Sequence, residues 1–388
     1  MSDDAVTQGP GAAAGNGATL VDQRGLSPRA HRGGATSPAA VELLRTLRLL
    51  YTWVQRFFPH ILLAVIAVAV LRVYMDGGAT LMGEQIRNAL VLGAIYALVA
   101  IGYTMVYGII ELINFAHGDV FTLSGFYALT FGSLFGGAIG GLATGNGGLG
   151  LALALILIFA LTMTAAGFTG VLIEFVAYRR LRDAPRLAPL ITAIGVSFLL
   201  EGTMLLLYGP DNIPTKDGGW ITGHAFTLGS VTVEWKQVVV VGVAIALMFS
   251  LGAFVRITRL GKAMRATAQD RNAALLCGIN VNRTISATFF IGSALAAAGA
   301  IVYSINYNLI QWNLGYRLGI IAFTAAVLGG IGNIVGAGIG GFLIGIIAVF
   351  GGQLAGAQWS DALVFAILVI ILTFRPVGLF GVDVANRA

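Results

Sequence analysis

The segment from residue 89 to residue 121, ALVLGAIYALVAIGYTMVYGIIELINFAHGDVF, decides how the rest of the chain is interpreted. Residues 89–110 contain no charged side chain, and a run of this length can cross the hydrocarbon layer of a bilayer as a helix. Asn114, His117 and Asp119 then follow around Gly118, before the apolar character resumes. The segment indicates a membrane helix that is interrupted by a short polar stretch.

The whole chain has the composition of a polytopic membrane protein. Of its 388 residues 57% are hydrophobic and only 10% are charged, and the mean hydropathy is +0.87. Soluble domains carry about 25% charged residues, so an ordinary globular protein is excluded. We predict an all-α bundle of about eight to ten membrane segments, some of them broken or re-entrant. The single Cys277 leaves no internal disulfide to expect.

Apolar runs place the membrane segments along the chain. The predicted spans are roughly 58–75, 86–110, 118–137, 149–177, 188–208, 237–256, 284–304, 318–332, 334–353 and 360–375. Within 86–137 and 318–353 the pattern leaves open whether the chain crosses fully or re-enters. Together these spans predict a transmembrane domain over residues 58–381.

The residues before the first span have a different character. Residues 1–40 are rich in Gly, Ala, Ser and Pro and predict a disordered tail, and no cleavable signal peptide is indicated. Residues 41–57 place leucines on one helical face and arginines largely elsewhere, which predicts an amphipathic helix at the membrane surface.

The distribution of basic residues predicts the orientation. Eighteen of the 23 Lys and Arg residues fall in residues 1–57, in the loops 178–189 and 256–283, and at or after the end of the last span. Cytoplasmic loops carry such an excess of positive charge, so both termini are predicted to be cytoplasmic and the loop 209–236 extracytoplasmic. The net charge of +6 is explained by this placement and does not predict binding to nucleic acid.

The polar stretch after residue 110 is the first candidate site. Lipid cannot satisfy the backbone groups of a broken helix, so such breaks lie inside protein or beside water, and ionisable groups there tend to mark a pathway. The residues predicted to line or brace a translocation pathway are Asn114, Phe115, His117, Gly118 and Asp119. Two alternatives stay open. One is a short cytoplasmic loop with turn and cap residues, and the other is a metal or proton site at His117, which lacks neighbouring ligands.

A second interrupted region is VLGGIGNIVGAGIGGFLIG, residues 327–345. The chain contains no G-x-x-x-x-G-K-[ST] phosphate loop, so we do not interpret these glycines as a nucleotide site. Gly332, Gly336 and Gly340 recur every four residues, which predicts close helix packing in a bilayer. Two broken segments, one in each half, are typical of transporters built from repeats, but we expect no internal sequence repeat here.

A third candidate is the basic loop GKAMRATAQDRNAALLCGINVNRT, residues 261–284. Residues 262–276 predict one helix that Gly278 ends. Its alanines keep this helix slim, and Arg265 and Arg271 keep it soluble. Such a helix suits insertion into a groove on another protein, although an ordinary positively charged loop is the alternative.

Four ordered stretches carry a family resemblance. They are GIIELINFAHGDVFTLSGFYA, GKAMRATAQDRNAALLCGINVNRTISATFFIGSALAAAGAI, AFTAAVLGGIGNIVGAGIGG and ILTFRPVGLFG. Together they resemble the high-affinity branched-chain amino acid ABC transporter permeases, in particular the H-type subunit of the leucine/isoleucine/valine importer. The resemblance runs from about residue 80 to residue 381 and leaves residues 1–79 uncovered.

The resemblance implies a multi-pass subunit in the plasma membrane of a prokaryote, without catalysis or a cofactor of its own. It also implies a second homologous permease, two ATPase subunits that hold ATP and Mg²⁺, an extracytoplasmic binding protein, and surrounding membrane lipids. The segment 261–278 looks like the coupling helix that docks on an ATPase. The residues assigned to ATPase coupling are Arg265, Ala266, Asp270, Ala274 and Gly278, of which the last four match the family pattern most clearly.

Other functions stay open at this stage. Urea, a short amide or another amino acid could pass through the same architecture, and the permease pair could be homodimeric or heterodimeric. A stand-alone secondary transporter or channel would need an ion site, whereas the spans hold few acidic residues: Glu111, Asp119, Glu174 and Glu201. No ligand cluster or nucleophile–base set favours a membrane enzyme.

Overall fold

The computed structural model of the chain describes residues 38–135, 141, 147–182, 184–185, 187–215 and 221–381. Nearly all of the predicted disordered tail, residues 1–40, therefore lies outside the described residues. The chain divides into two compact units, residues 1–52 and residues 53–388. In the first unit the described residues are helical, and the Thr46 hydroxyl donates to the Glu42 carbonyl at 2.9 Å. The following description concerns the second unit.

The described residues are almost entirely helical. In chain order the α-helices are α1 (Pro38–Ile110), α2 (Ala116–Leu134), α3 (Gly147–Ile173), α4 (Leu187–Tyr208), α5 (Trp235–Ile257), α6 (Arg259–Gln269), α7 (Arg271–Leu276), α8 (Val281–Tyr307), α9 (Leu314–Gly329), α10 (Ile334–Ala355) and α11 (Ser360–Phe374). Helix α3 continues as a π-helical turn, Glu174–Tyr178, and a 3-10 turn, Arg179–Leu181.

Four short strands complete the fold. Strand β1 (Ile213–Pro214) pairs antiparallel with β4 (Leu309–Ile310), and β2 (His224–Leu228) pairs antiparallel with β3 (Val231–Glu234). The second pair is a hairpin, which the alternating residues around Leu228-Gly229-Ser230 predict from the sequence alone. Its turn contains Gly229 at φ +62°, a backbone conformation that glycine adopts without steric cost.

Seven of the described helices are long and apolar enough to cross a membrane, which confirms a polytopic helical membrane protein. The two helices that follow interruptions, α2 and α9, are not among these seven. At 16 residues α9 is about 24 Å long, shorter than a hydrocarbon layer of about 30 Å. The sequence left open whether the regions 86–137 and 318–353 cross the membrane fully or re-enter it. The helices to which this question applies are α2 and α9.

Helix α1 consists of two arms that fold back at Gly78. This residue has φ 68° and ψ −164°, outside the helical region. Val73 and Ala89 would lie about 24 Å apart on a straight helix, yet both belong to one buried cluster with Phe350. The predicted spans 58–75 and 86–110 are therefore the first arm (residues 53–77) and the second arm (residues 79–110) of a helical hairpin.

The second arm and α8 form the centre of the bundle. The most apolar windows of α1 and α8 are 89% and 78% buried, against 11–22% for α4, α5 and α11. Glycines allow the two central helices to approach closely, because a Cβ on Gly292 would lie 3.1 Å from the Gly102 carbonyl oxygen. Gly299 lies beside Val99, so the two helices run antiparallel.

The two ends of the bundle differ in charge. One end, which we call the basic side, carries the end of α3 and the helices α6 and α7, with Arg182 donating to Asn282 at 2.6 Å. The other end, the hairpin side, carries the β2–β3 hairpin, and Arg87 there donates to the Thr232 carbonyl at 2.8 Å. The basic side is the side for which the sequence predicts a cytoplasmic location.

Candidate functional site

The polar stretch after α1 begins on the basic side and returns into the bundle. Helix α1 ends at Ile110, Glu111 adopts φ 56°, and residues 111–115 are not helical. A Cβ on Gly102 would lie 2.6 Å from Nε2 of His117. Gly102 lies about 12 Å before the end of α1, so the start of α2 is at that same depth in the bundle. Helix α2 therefore begins inside the protein rather than at its surface.

The predicted site residues on this stretch are buried and come together. Asn114 is 4% exposed, and His117 and Asp119 are fully buried. The Tyr178 hydroxyl donates to Oδ1 of Asn114 at 3.0 Å, and the Ser197 hydroxyl donates to Oδ2 of Asp119. Side chains from α3 and α4 therefore fix the break and the first turn of α2 in place.

His117 and Asp119 also keep atoms without hydrogen bonds. The ring of His117 packs on Tyr103 with centroids 4.6 Å apart, and it lies near the Val99 backbone, but neither ring nitrogen meets hydrogen-bond geometry. Oδ1 of Asp119 likewise has no partner. In the described part of the chain no group of three metal-ligating side chains surrounds His117 or any other residue. Phe115 packs on Phe323, with ring centroids 6.5 Å apart.

A second break follows α8 and has the same construction. Glu111 and Asn308, at φ 56° and 55°, are the non-glycine residues with positive φ in the described part of the chain, and each directly follows a central helix. The sequences that start there, ELINFAHG (111–118) and NLIQWNLG (308–315), share Leu, Ile and the final Gly. At the fourth and fifth positions, Asn114 and Phe115 of the first sequence align with Gln311 and Trp312 of the second. Three identities in eight positions do not make a convincing sequence repeat, so the likeness of the two breaks rests on their position after a central helix and on their backbone conformation.

The two breaks meet inside the bundle at a pair of glycines. A Cβ on Gly315 would lie 2.5 Å from the Gly118 carbonyl oxygen and 2.6 Å from Oδ1 of Asp119. Gly125 of α2 lies against Ile310, so α2 and α9 run antiparallel with their N-terminal ends in contact. Inverted repeats whose broken helices meet within the membrane are the construction that transporters use at their central sites.

The basic loop forms two short helices rather than one. Asp270 is extended (φ −154°, ψ 116°), and its Oδ1 accepts hydrogen bonds from the backbone N–H groups of Asn272 and Ala273 at 2.8 and 3.0 Å. The predicted single helix over 262–276 is therefore wrong. An aspartate that satisfies the first amides of a new helix is a strong start signal, and it ends α6 and begins α7. Gly278 follows α7 at φ +78° and ends it as predicted.

The residues assigned to coupling divide between the interior and the surface. Ala274 is 3% exposed and Ala266 is half-buried, so both face the bundle. Arg265 and Asp270 are exposed. The largest exposed apolar side chains of α7 are Leu275 and Leu276, at 56% and 90%. Helix α7 thus exposes two leucines on the outer surface of the basic side.

Arg271 connects α7 to the end of α1, a contact that the sequence did not predict. Its Nη2 donates to the carbonyl oxygens of Ile110 at 2.8 Å and Ile109 at 3.4 Å. These are terminal carbonyls that the helix itself leaves unpaired. We interpreted Arg271 as a solubilising charge because its partners are backbone atoms about 160 residues away, which no side-chain pattern reveals.

A buried ionic cluster adjoins this contact. Glu174 is fully buried, pairs with Arg179 at 2.7 Å and with Arg182, and accepts a hydrogen bond from Ser286 at 2.8 Å. A cavity of about 750 Å³ lies beside it, lined by the same two arginines and by Arg271. The cluster joins the end of α3 to the start of α8.

Glu174→Gln is expected to destabilise the protein strongly. The amide keeps the shape of the side chain but removes the charge that neutralises Arg179 and Arg182, of which Arg182 is mostly buried. Breaking a buried ion pair in this way costs about 3 kcal/mol. Thermal unfolding of the purified protein should show a lower midpoint, whereas Asp76→Asn in the exposed pair with Arg72 should change it little. Equal midpoints for the two variants would contradict this role of Glu174.

The glycine-rich region takes two roles. Gly336 and Gly340 of α10 pack against the α9 backbone, where a Cβ on Gly340 would lie 2.8 Å from the Gly329 nitrogen. Gly332 instead lies in the turn between α9 and α10, at φ +90°. The C-terminal segment closes over this turn, since the Leu379 N–H donates to the Leu328 carbonyl at 2.8 Å. Gly332 also packs closely, because a Cβ on Gly108 of α1 would lie 3.2 Å from the Gly332 Cα, so all three predicted positions make close contacts.

Comparison with known proteins agrees with this architecture. Residues 85–372 match the family described as branched-chain amino acid transport system / permease component. The high-affinity branched-chain amino acid transport system permease protein BraD of Pseudomonas aeruginosa is 41% identical over 301 residues, which cover 77% of this chain and 95% of BraD. The corresponding protein LivH of Escherichia coli K12 is 38% identical over 310 residues, with the same coverage.

A more distant relative carries a different name. The autoinducer 2 import system permease protein LsrD of Escherichia coli is 28% identical over 205 residues, 49% of this chain and 60% of LsrD. No solved structure matches the chain. The family match and the apolar helices place the protein in the plasma membrane as a multi-pass protein. The chain belongs to the family of permease components of branched-chain amino acid transport systems.

Proposed function

We propose that the chain is a permease subunit of an ATP-driven ABC importer that moves leucine, isoleucine and valine into the cell. The relatives BraD and LivH, which align over 95% of their lengths, support the substrate class. The observation that carries the energy-coupling part is the position of α7. This helix exposes Leu275 and Leu276 and is tied through Arg271 to the last turn of α1, directly before the first break.

In this proposal the energy comes from partner proteins. Two ATPase subunits bind ATP and Mg²⁺ and dock on the basic side, which faces the cytoplasm, with α7 in a groove of one of them. Their closure on ATP moves α7, and the Arg271 contact passes this movement to the end of α1. The break can then shift relative to α2, because residues 111–115 are not part of either helix.

The solute path completes the proposal. A second permease pairs with this chain, and an extracytoplasmic binding protein delivers the amino acid to the hairpin side, which includes the loop 209–236. The buried positions of Asn114, His117 and Asp119 support a role in bracing the break in this conformation. Rearrangement of the breaks would bring their unpaired polar atoms towards the path.

The test is ATP-dependent uptake of labelled leucine by cells that carry the tagged chain. The proposal predicts that an ATPase co-purifies with the chain, and that deletion of its gene abolishes leucine uptake driven by this system. Uptake that persists without the ATPase and collapses with the ion gradient would instead establish a secondary transporter. Uptake of urea but not of leucine would refute the substrate class.

His117→Ala should lower the initial rate of leucine uptake several-fold while the complex still purifies. The imidazole fills the space between Gly102 and Tyr103, and its removal leaves a cavity that costs about 2 to 4 kcal/mol locally. The start of α2 then loses its fixed position. His60→Ala, which removes an exposed imidazole from α1, is the matched control. Equal uptake rates in both variants would remove His117 from the mechanism.

A further inference from the structure

A second charged site lies apart from the two breaks. Arg317 in the first turn of α9 donates from Nε to Oδ2 of Asp361 at 2.6 Å, and from Nη2 to Oδ1 at 2.9 Å. Asp361 belongs to an apolar stretch, Ala357–Phe374, that is long enough to cross the membrane, and α9 is itself an apolar helix. A two-bond guanidinium–carboxylate pair therefore joins the first turns of two apolar helices.

This pair is open to its surroundings. The side chains of Arg317 and Asp361 are 61% and 34% exposed on the single chain. Helices that face lipid here expose leucines instead, as Leu206 of α4 does at 87%. Ionisable groups in membrane segments are costly against lipid and almost always face a bundle interior or a water-filled cavity. Because Asp361 stands in the first turn of α11, the pair lies at one end of a membrane helix, and the face that carries it borders water or another polar surface.

Three tyrosines from the two central helices lie within electrostatic range of the guanidinium. Tyr96 of the second arm and Tyr303 and Tyr307 of α8 all interact electrostatically with Arg317. The rings of Tyr303 and Tyr307 pack with centroids 4.6 Å apart, and Tyr307 is 40% exposed. The second arm, α8, α9 and α11 thus bring one positive group, one negative group and aromatic surface to one place, next to the break at Asn308.

We infer that Arg317 and Asp361 form a passage site for the amino acid itself, which rests on the proposed function. A free amino acid carries a carboxylate that the guanidinium can bind through two hydrogen bonds and an ammonium that the aspartate can accept. The tyrosine rings offer apolar surface to an aliphatic side chain. Urea and short amides carry neither charge, so the site favours a zwitterion. Binding of the solute has to open the Arg317–Asp361 pair, and this cost offsets part of the two new ion pairs.

The test uses the assembled importer in proteoliposomes, with labelled leucine and a loaded binding protein, and measures leucine transported per ATP hydrolysed. The double variant Arg317→Gln/Asp361→Asn keeps hydrogen-bonding groups of similar shape but removes both charges. We expect the transport-to-hydrolysis ratio to fall about tenfold or more, the size of effect expected when charge-assisted hydrogen bonds are lost. ATP hydrolysis stimulated by the binding protein should stay within about twofold of wild type, because α7 is untouched.

Two further variants separate recognition from structure. Arg317→Lys/Asp361→Glu keeps both charges and should retain much of the ratio, and Arg72→Gln/Asp76→Asn, in an exposed pair of the first arm, should leave it unchanged. A normal ratio in the uncharged variant overturns this inference and leaves the proposed function standing. If uptake and ATP hydrolysis fall in the same proportion, the pair serves only to hold α9 against α11, and this result also overturns the inference. A wild-type system that moves no leucine refutes the proposed function, and the inference with it.

Discussion

Gly118→Ala is expected to lower the unfolding midpoint and the yield of folded protein strongly. A single methyl group at this position would overlap the carbonyl oxygen of Gly315 and lie 2.8 Å from the Cα of Gly319. Both contacts are backbone atoms of α9, so no side chain can rotate away to relieve them. Overpacking of this kind costs typically 1 to 3 kcal/mol, and we expect about 3 kcal/mol or more where two helix ends meet.

Gel filtration in detergent and the thermal unfolding midpoint measure this effect. Gly195→Ala is the matched control, because this glycine also lies in a membrane helix but a Cβ there meets nothing within 4 Å. The control should be neutral or slightly stabilising, since alanine favours a helix over glycine by about 1 kcal/mol. If Gly118→Ala and Gly195→Ala gave the same yield and midpoint, the contact between the two breaks would not exist as described.

Leu276→Asp is expected to disconnect the permease from its ATPase. The leucine is 90% exposed, so its replacement disturbs few contacts within the chain and should leave the unfolding midpoint unchanged. A carboxylate in the centre of an apolar docking contact would be buried without a partner, which weakens such contacts by several kcal/mol. We expect the ATPase to be lost during purification and leucine uptake to fall by about tenfold or more.

The control for this variant is Leu228→Asp, which makes the same change at an exposed leucine on the hairpin side. It should retain the ATPase fully, because that side faces away from α7. Retention of the ATPase at wild-type level by Leu276→Asp, with normal uptake, would show that α7 is not the docking element.

The positions of the membrane helices could be predicted from sequence because each depends on a local property, a run of apolar residues long enough for a bilayer. The predicted spans 188–208, 237–256 and 334–353 differ by only a few residues from α4, α5 and α10. The hairpin after residue 223 was equally local, since alternation and one glycine determine it. Interactions between distant segments were less accessible.

The contacts of the candidate site required the three-dimensional structure. Asn114 and Asp119 were recognised as unusual, but their partners Tyr178 and Ser197 lie on α3 and α4, 64 and 78 residues away. The pairing of Arg317 with Asp361 spans 44 residues and has no local signal. The repeated break escaped notice because only three of eight positions are identical, and its equivalence appears once both segments show the same positive φ after a central helix.

The break between α6 and α7 is a case in which a local signal was present and was outweighed. Asp270 is one of the residues that favour the start of a helix, but the surrounding alanines favour a continuous one. Two backbone amides bound by the Asp270 side chain decide the outcome. As a consequence, a separate α7 places Arg271 at its first position, where it reaches the end of α1.

Reconstitution into liposomes gives the most direct measurement. The purified chain alone, supplied with leucine and a proton or sodium gradient, should accumulate none, whereas the complex with its second permease, ATPases and loaded binding protein should accumulate leucine only when ATP is present. Concentration of leucine by the chain alone, driven by the ion gradient and insensitive to ATP, would contradict the proposal that its helices are moved by the nucleotide cycle of a partner.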